Sequence, residues 1–341
     1  MTENFNDDDL DNNENIIEVL LNQNKKILEE NKSISQELES LKNENKNLKI
    51  NFDKSIKLTN KILDSYNENF KLLFNYYDLK PKSVLKNMQD VCQQVLDLVV
   101  NICNKHGIEY WLDGAALLGA IRHEGFLPGG DDIDLGMMRK DYELFQEVFD
   151  SELHEYGLEK HVKWKLLRHG NNVLYFIQIS CAGFAVLDIF PYDYIEDPPE
   201  NIKQLYDAEK NKFKSSILED KSYFESINDV YANLNLSCDQ KSFVIPGVER
   251  PGSGTFFIQK TSELFPLTTV TFNNQEYCAH KNNDYHIKKL YGDSEEFPKI
   301  LERHKRVYKI QKRPNINQYL EYKVDLLKKT NDFYKINKKS V

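Results

Sequence analysis

The sequence predicts an α+β fold, in which a mixed β-sheet with flanking helices is preceded by a long N-terminal helix of the coiled-coil type. Three observations support this fold class. Apolar residues recur every seven positions early in the chain, and a strongly amphipathic helical pattern follows residue 82. Beyond it, short β-prone runs separated by turn residues alternate with helical segments up to about residue 312.

Composition excludes several classes of protein. The chain has 341 residues and a formal net charge of −9, whereas a nucleic-acid-binding protein usually has a basic excess, so no nucleic-acid partner is expected. No apolar run approaches the length of a membrane span, and the N-terminus does not have the pattern of a signal peptide. The five cysteines are scattered without CxxC spacing, which indicates reduced thiols and a cytoplasmic location.

The N-terminal part divides into two predicted segments. Residues 1–15 are rich in Asp and Asn and are expected to be disordered. Residues 16–78 are predicted to form a coiled coil, and hence a homo-oligomer, because apolar residues recur with strict heptad spacing. The alternative is a long solvated helix, since the companion positions mix Asn with Leu and Phe. The heptad positions are Leu20, Ile27, Ile34, Leu41 and Leu48.

Pro81 marks the start of the main domain, which is predicted to span residues 82–312, and residues 313–341 are predicted to form a C-terminal helix or tail. The first helix should end at Gly107, because glycine favours the C-terminal cap. Strands are predicted at residues 108–112, 162–167, 173–180, 185–190 (closed by Pro191) and 268–272, and helices at 141–149, from about 201 onward, and at 295–312.

Two carboxylates with D-x-D spacing suggest a metal site. On a strand, alternate side chains face the same way, so Asp132 and Asp134 would project together while Ile133 packs into the core. Carboxylates held this close repel each other unless a cation lies between them. Mg²⁺ prefers such oxygen ligands and often shares them with substrate phosphates. A solvated acidic turn is the alternative interpretation.

The segment before this strand favours phosphate. Residues 114–122 are predicted to form a tight turn and then a short helix, whose first amides, at Gly114 and Ala115, would be available for substrate. Arg122, at the far end of that helix, could bind a phosphate bidentately, or it could form an ordinary salt bridge.

These motifs together resemble the LicD family, which includes bacterial phosphocholine transferases and fukutin-type enzymes with a polymerase-beta-like nucleotidyltransferase fold. The resemblance covers roughly residues 90–305. It rests on Tyr-Trp-Leu-Asp-Gly from residue 110, Leu-Leu-Gly-Ala-Ile-Arg-His from 117, Asp-Asp-Ile-Asp-Leu-Gly from 131, Leu-Asp-Ile-Phe-Pro-Tyr-Asp from 187, Phe-Pro-Leu from 265 and Tyr-Gly-Asp from 291.

The resemblance implies a metal-dependent phosphotransferase. Asp132 and Asp134 would bind Mg²⁺ or Mn²⁺, and Asp188, on a neighbouring strand, would bind metal or activate the acceptor hydroxyl. The phosphorylated group, phosphocholine or a phospho-alditol, would pass from a CDP-linked donor to a glycan or glycolipid acceptor.

The sequence departs from the family pattern at two places, which keeps other functions open. Ala115-Ala116 replaces a small polar pair, and Gly129-Gly130 replaces Trp-Asp, so a hydroxyl, an aromatic ring and an acidic group are missing. One alternative is therefore a catalytically weakened LicD-like domain that acts as a coiled-coil oligomeric scaffold. Another is a nucleotidyltransferase proper, which deposits a nucleoside monophosphate.

Overall fold

The computed structural model describes residues 7–76, 83–169, 172–219, 221–251, 256–292 and 306–338. The chain divides into two units, residues 1–76 and 77–341. The predicted α+β class is confirmed. In chain order the elements are α1 (Asp7–Tyr76), α2 (Val84–His106), β1 (Trp111–Asp113), α3 (Gly114–His123), β2 (Ile133–Met138), α4 (Arg139–Glu155), β3 (Val162–His169), β4 (Asn172–Cys181), β5 (Phe184–Ile195), α5 (Ile202–Leu218), α6 (Tyr223–Leu234), β6 (Leu236–Ser237), β7 (Phe243–Pro246), β8 (Gln259–Lys260), α7 (Thr261–Leu264), β9 (Thr268–Phe272), β10 (Gln275–Ala279), α8 (Asn283–Tyr291), α9 (Arg306–Ile310) and α10 (Ile316–Lys338).

The first unit is the single helix α1, which has 70 residues and is therefore about 105 Å long. It begins at Asp7, so residues 7–15, which were expected to be disordered, are helical; the sequence there opens with acidic residues, which favour a helix N-terminus. The heptad side chains are more than half exposed in this unit, for example Ile34 at 61% and Leu48 at 59%. A coiled coil requires a second helix against these side chains, so self-association stays a prediction.

The second unit is built around helix α2. One face of α2 is fully buried, and Gly107 adopts the left-handed conformation that ends the helix, as predicted. Helix α10 packs along α2: Leu320 and Leu327 are fully buried, and the Asn331 amide donates to the Gln94 carbonyl at 2.9 Å. The C-terminal segment, predicted separately as a helix or tail, is therefore part of the core of this unit.

The main sheet has the order β1-β2-β5-β4-β3. Strands β6 and β7 pair with the C-terminal part of β5, and β8 pairs with β7. The β2–β5 pair is parallel and the other pairs are antiparallel, so the sheet is mixed, as predicted. The hairpin of β3 and β4 matches two predicted strands, and β9 pairs only with β10 among the described residues. Helices α2 and α4 pack against the central strands.

Strand β5 continues past the point at which it was predicted to stop. Pro191 cannot donate a backbone hydrogen bond, but its carbonyl accepts one from Gly247 N at 2.9 Å. The strand then pairs with β7, with Tyr192 opposite Pro246. This extension matters for the site, because it holds Tyr192 and Asp193 on the same strand as Asp188.

Some sequence predictions concern parts of the chain that the structure does not describe. Of the helix predicted at residues 295–312, α9 covers Arg306–Ile310, while residues 293–305, including Asp293 of the Tyr-Gly-Asp motif, lie outside the described residues. Within the described part of the chain, no helix combines the length and apolar character needed to cross a membrane.

Candidate active site

Three carboxylates stand side by side on adjacent strands of the main sheet. Asp134 on β2 is the register partner of Asp113 on β1 and of Asp188 on β5. Register partners on neighbouring strands lie about 4.8 Å apart and project to the same face of the sheet. The prediction that Asp188 belongs to a strand next to the D-x-D pair is therefore confirmed in its geometry.

Asp134 is held by the first turn of α3. The Ala115 amide donates to Asp134 Oδ2 at 3.3 Å, and Gly114, with φ +51°, brings its backbone against the same carboxylate. A Cβ atom on Gly114 would overlap Oδ2 and lie 3.2 Å from Asp134 Cγ. The N-terminus of α3 therefore supports a carboxylate by backbone hydrogen bonding and close approach. Phosphate could reach the Ala115 amide only if Asp134 released it.

The electrostatics of Asp134 are those of a carboxylate that needs a cation. Burial, followed by the charges of Asp132 and Asp188, raises the pKa of Asp134 well above its usual range. Ionised carboxylates in this arrangement repel each other, and a divalent ion between them would relieve that repulsion. The donor set consists of oxygen atoms, so it suits a hard ion such as Mg²⁺ or Mn²⁺.

Asp188 lies at the centre of β5 and is 8% exposed. Its Oδ1 accepts a hydrogen bond from Gln178 Nε2 at 3.0 Å. Gln178 is the register partner of Asp188 on β4, so the polar row continues across a fourth strand. The apolar neighbours Leu187 and Ile189 are fully buried on the other face. Gln178 thus fixes the direction of the Asp188 carboxylate.

Asp132 immediately precedes β2 and contacts a cation from the C-terminal part of the chain. Arg306 Nη1 lies 2.9 Å from Asp132 Oδ2 and 3.6 Å from an oxygen of Asp131. Asp131 is 3% exposed, whereas Asp132 is more open to solvent. The D-x-D spacing predicts that Asp132 and Asp134 project to the same side, and Asp132 lies close enough to Asp134 for its charge, after burial, to raise the pKa of Asp134.

Asp113, the third member of the row, has a different environment, because its own protein partners already compensate its charge. Arg250 Nη1 lies 2.6 Å from Oδ2, and Tyr192 donates to the same oxygen at 2.7 Å. His286 Nε2 and the Gly114 amide contact Oδ1, at 2.9 and 2.7 Å. Burial alone would raise the pKa of Asp113, but Arg250 and His286 hold it well below its usual range.

Asp113, His280 and His286 form a buried group whose ligand atoms lie within 4.8 Å of one another. Two observations argue against a metal ion here. Both Asp113 oxygens already accept hydrogen bonds, and Arg250 supplies a positive charge. The two imidazole rings are stacked with centroids 3.6 Å apart, so their in-plane lone pairs do not converge on one point. The assignment of Asp132, Asp134 and Asp188 as metal ligands stays a prediction from the sequence.

The predicted substrate residue Arg122 lies away from this set. It is in the last turn of α3, about 12 Å along the helix axis from Gly114. Burial lowers its pKa below the ordinary arginine value. The structure thus brings together Asp132, Asp134, Asp188 and the amide of Ala115, and it places Arg122 at the opposite end of the supporting helix.

Sequence reasoning missed four residues of the site. Asp113 is in the Tyr-Trp-Leu-Asp-Gly motif, but the sequence around it does not indicate which residues it pairs with. Arg250 and His286 reach it across 137 and 173 residues, and Arg306 reaches Asp132 across 174. Short local patterns cannot report contacts over such separations. The one available signal was chemical: a buried D-G pair at a strand end requires a compensating cation somewhere in the chain.

Comparison with known proteins identifies related sequences for part of the chain. Residues 107–235 match the family model described as "LicD/FKTN/FKRP, nucleotidyltransferase domain". The lipopolysaccharide cholinephosphotransferase LicD of Haemophilus influenzae is 36% identical over 132 residues, which are 36% of this chain and 50% of that protein. The human ribitol 5-phosphate transferase FKRP is 29% identical over 94 residues, 28% of this chain and 19% of FKRP. The chain thus spans half or less of the length of these relatives.

Proposed function

We propose that this protein is a divalent-metal-dependent phosphotransferase, because residues 107–235 match the LicD/FKTN/FKRP nucleotidyltransferase-domain model. It would transfer choline phosphate, or an alditol phosphate such as ribitol phosphate, from a CDP-linked donor to a hydroxyl of a glycan or glycolipid. The observation that carries the proposal is the row formed by Asp134 and Asp188 on adjacent parallel strands, with Asp132 beside it and the pKa of Asp134 raised. The names of the relatives support the class of group transferred.

In this proposal, Asp132, Asp134 and Asp188 hold one or more Mg²⁺ or Mn²⁺ ions. The bound ion supplies positive charge that offsets the donor diphosphate and the charge that develops at phosphorus. The protein's own groups provide the positioning: the Ala115 amide orients Asp134, and Gln178 orients Asp188. Rigid placement of this kind accounts for much of the rate in reactions whose catalysis is mainly positional.

The acceptor hydroxyl needs a group that takes its proton, and Asp188 is assigned this role. The acceptor oxygen forms the new bond to phosphorus while the bond from phosphorus to the cytidine monophosphate oxygen breaks. The proton passes to the Asp188 carboxylate, and cytidine monophosphate leaves. Asp188 suits the role because it lies next to Asp134 in the row and is largely shielded from water. The five cysteines, none of which forms a disulfide, support a cytoplasmic, reducing location.

The test is a screen of CDP-choline and CDP-ribitol with Mg²⁺ or Mn²⁺, in which released cytidine monophosphate is measured, with EDTA as the metal-free arm. Asp188→Asn and Asp134→Asn should abolish release while the far-ultraviolet circular dichroism stays that of the wild type. Asp239→Asn is the matched control, because it removes one carboxylate from an exposed ion pair with Lys140. Release that persists in EDTA, or in both site variants, would contradict the proposal.

Two alternatives have distinct signatures. A nucleotidyltransferase proper would consume CTP and release pyrophosphate, so analysis of the leaving group identifies it. A scaffold with a weakened site is favoured by Gly129-Gly130, Ala115-Ala116 and the exposed heptad positions of α1. A scaffold predicts that divalent metal together with a cytidine nucleotide leaves the melting temperature unchanged, whereas a binding-competent site must raise it.

A further inference from the structure

Arg306 is a cation at the edge of the candidate site formed by Asp132, Asp134 and Asp188. Its Nη1 lies 2.9 Å from Asp132 Oδ2 and donates to the Ala185 carbonyl at 3.2 Å. Asp131 approaches the same nitrogen at 3.6 Å. Ala185 is on β5, three residues before Asp188, so the guanidinium spans the ends of the two strands that carry the row.

Arg306 differs from Arg139 and Arg250 in its surroundings. Arg139 and Arg250 are buried, at 2% and 6% exposed, and each makes close ion pairs with buried carboxylates. The Arg306 side chain is 21% exposed, and it contacts Asp132, Asp131 and Ala185 through Nη1. A guanidinium carries five N–H donors in a planar fork, a geometry that fits two oxygens of a phosphate. Solvent access and fork geometry are what a ligand-binding arginine requires.

Charge explains why this arginine would change partners. Arg306 contributes one positive charge beside Asp131, Asp132 and Asp188. A divalent ion on Asp132 would compete directly with Arg306 for that carboxylate. The donor's diphosphate would arrive at the same place with two further negative charges, which can take up the displaced guanidinium.

We infer that Arg306 is a phosphate-binding residue, which pairs with Asp132 in the unliganded protein and with the donor's diphosphate when metal occupies the carboxylates. The inference rests on the proposed function, because it assigns a ligand to the same site. It adds a residue from the C-terminal part of the chain, beyond the segment that the family model matches.

The test is calorimetric titration of the full-length protein with CDP, and separately with inorganic pyrophosphate, at saturating Mg²⁺. Arg306→Ala should weaken both ligands by about 10- to 100-fold, the usual effect of losing a charged hydrogen-bonding partner. Arg306→Lys keeps the charge but loses the fork, so it should lie between wild type and Arg306→Ala. The matched control is Arg313→Ala: Arg313 follows in the same segment but donates to the carbonyls of Ala182 and Gly183.

A second arm measures Mn²⁺ affinity without nucleotide. Removing a cation that competes for Asp132 should tighten metal binding in Arg306→Ala, and the control should match the wild type. If Arg306→Ala binds both phosphate ligands as the wild type does, Arg306 is only a counter-ion and the inference fails while the proposed function stands. If the wild type itself binds neither CDP nor pyrophosphate with metal present, both fail. Should Arg306→Ala not fold, equal affinities of Arg306→Lys and wild type would overturn the inference.

Discussion

A single added methyl group at Gly114 should lower the activity of the site far more than it lowers the stability of the fold. Gly114 has φ +51°, and a Cβ atom there would overlap Asp134 Oδ2, the oxygen that accepts the Ala115 hydrogen bond. To restore a normal van der Waals separation, the carboxylate oxygen must move by about 1 Å. The substitution Gly114→Ala therefore displaces one proposed metal ligand without changing any charge.

Two effects with different magnitudes follow. An L-residue in the left-handed region costs about 1–2 kcal/mol, which lowers the melting temperature of a domain of this size by a few degrees. Displacing a catalytic group by about 1 Å can lower the rate about 100-fold. We therefore expect Gly114→Ala to remain folded, to bind Mn²⁺ more weakly, and to lose about 100-fold in release of cytidine monophosphate from the active donor.

Gly107→Ala is the control for backbone strain. Gly107 has φ +68°, and an added Cβ would meet no atom within 4 Å. Its strain should match that of Gly114→Ala, so both variants should lose similar stability, whereas only Gly114→Ala should lose metal affinity and turnover. Equal turnover in the two variants would show that the position of Asp134 does not matter to the reaction. The assignment of Asp134 as a metal ligand would then be wrong.

Three further predictions concern charge and assembly. Because the folded-state pKa of Asp134 is raised, the folded protein binds an extra proton above the ordinary Asp pKa of about 3.9, so this group's contribution to metal-free stability falls as pH rises. In EDTA, the melting temperature of Asp134→Asn should therefore rise relative to that of the wild type as the pH rises from about 4. A difference between the two melting temperatures that does not change with pH would contradict this. Asp113→Asn should cost about 3–5 kcal/mol in denaturant unfolding because it leaves Arg250 buried without its carboxylate; a cost near that of an exposed Asp→Asn change would refute the pairing. Light scattering should give a mass of more than one chain for the full-length protein and of one chain for a protein starting at residue 83, and equal masses per chain would remove the coiled-coil prediction.

Local patterns in the sequence were sufficient for most elements of the fold. Helical periodicity and a terminal glycine predicted α2 and its end at Gly107, and alternation with turn residues predicted the β3–β4 hairpin. The end of β5 was predicted wrongly, because the rule that proline ends a strand takes no account of a carbonyl partner such as Gly247 N supplies for Pro191. The C-terminal helix was predicted as a helix, but its place against α2 depends on contacts such as that of Asn331 with Gln94, over 237 residues.

The candidate site was predictable to the extent that it depends on strand geometry. The D-x-D spacing predicts that Asp132 and Asp134 share one face. The family motif predicted Asp188 on a neighbouring strand, which the pairing of β2 with β5 confirms. The sequence led us to assign the α3 amides to phosphate, because an open helix N-terminus favours anions. In the folded chain the nearest anion is a carboxylate, Asp134, and the Ala115 amide donates to it. Which anion a helix terminus binds is decided by tertiary contacts.

Asp113 and Asp134 show how one sheet can give neighbouring carboxylates opposite roles. They are register partners, yet the pKa of Asp113 is held well below its usual range and that of Asp134 well above it. The strands alone would make the two equivalent. The difference comes from Arg250 and His286, which compensate the charge of Asp113 more fully than that of Asp134. Arg250 and His286 therefore determine which carboxylate of the row has the raised pKa. Substituting Arg250 by an uncharged residue should raise the pKa of Asp113, as carboxyl titration by nuclear magnetic resonance would detect.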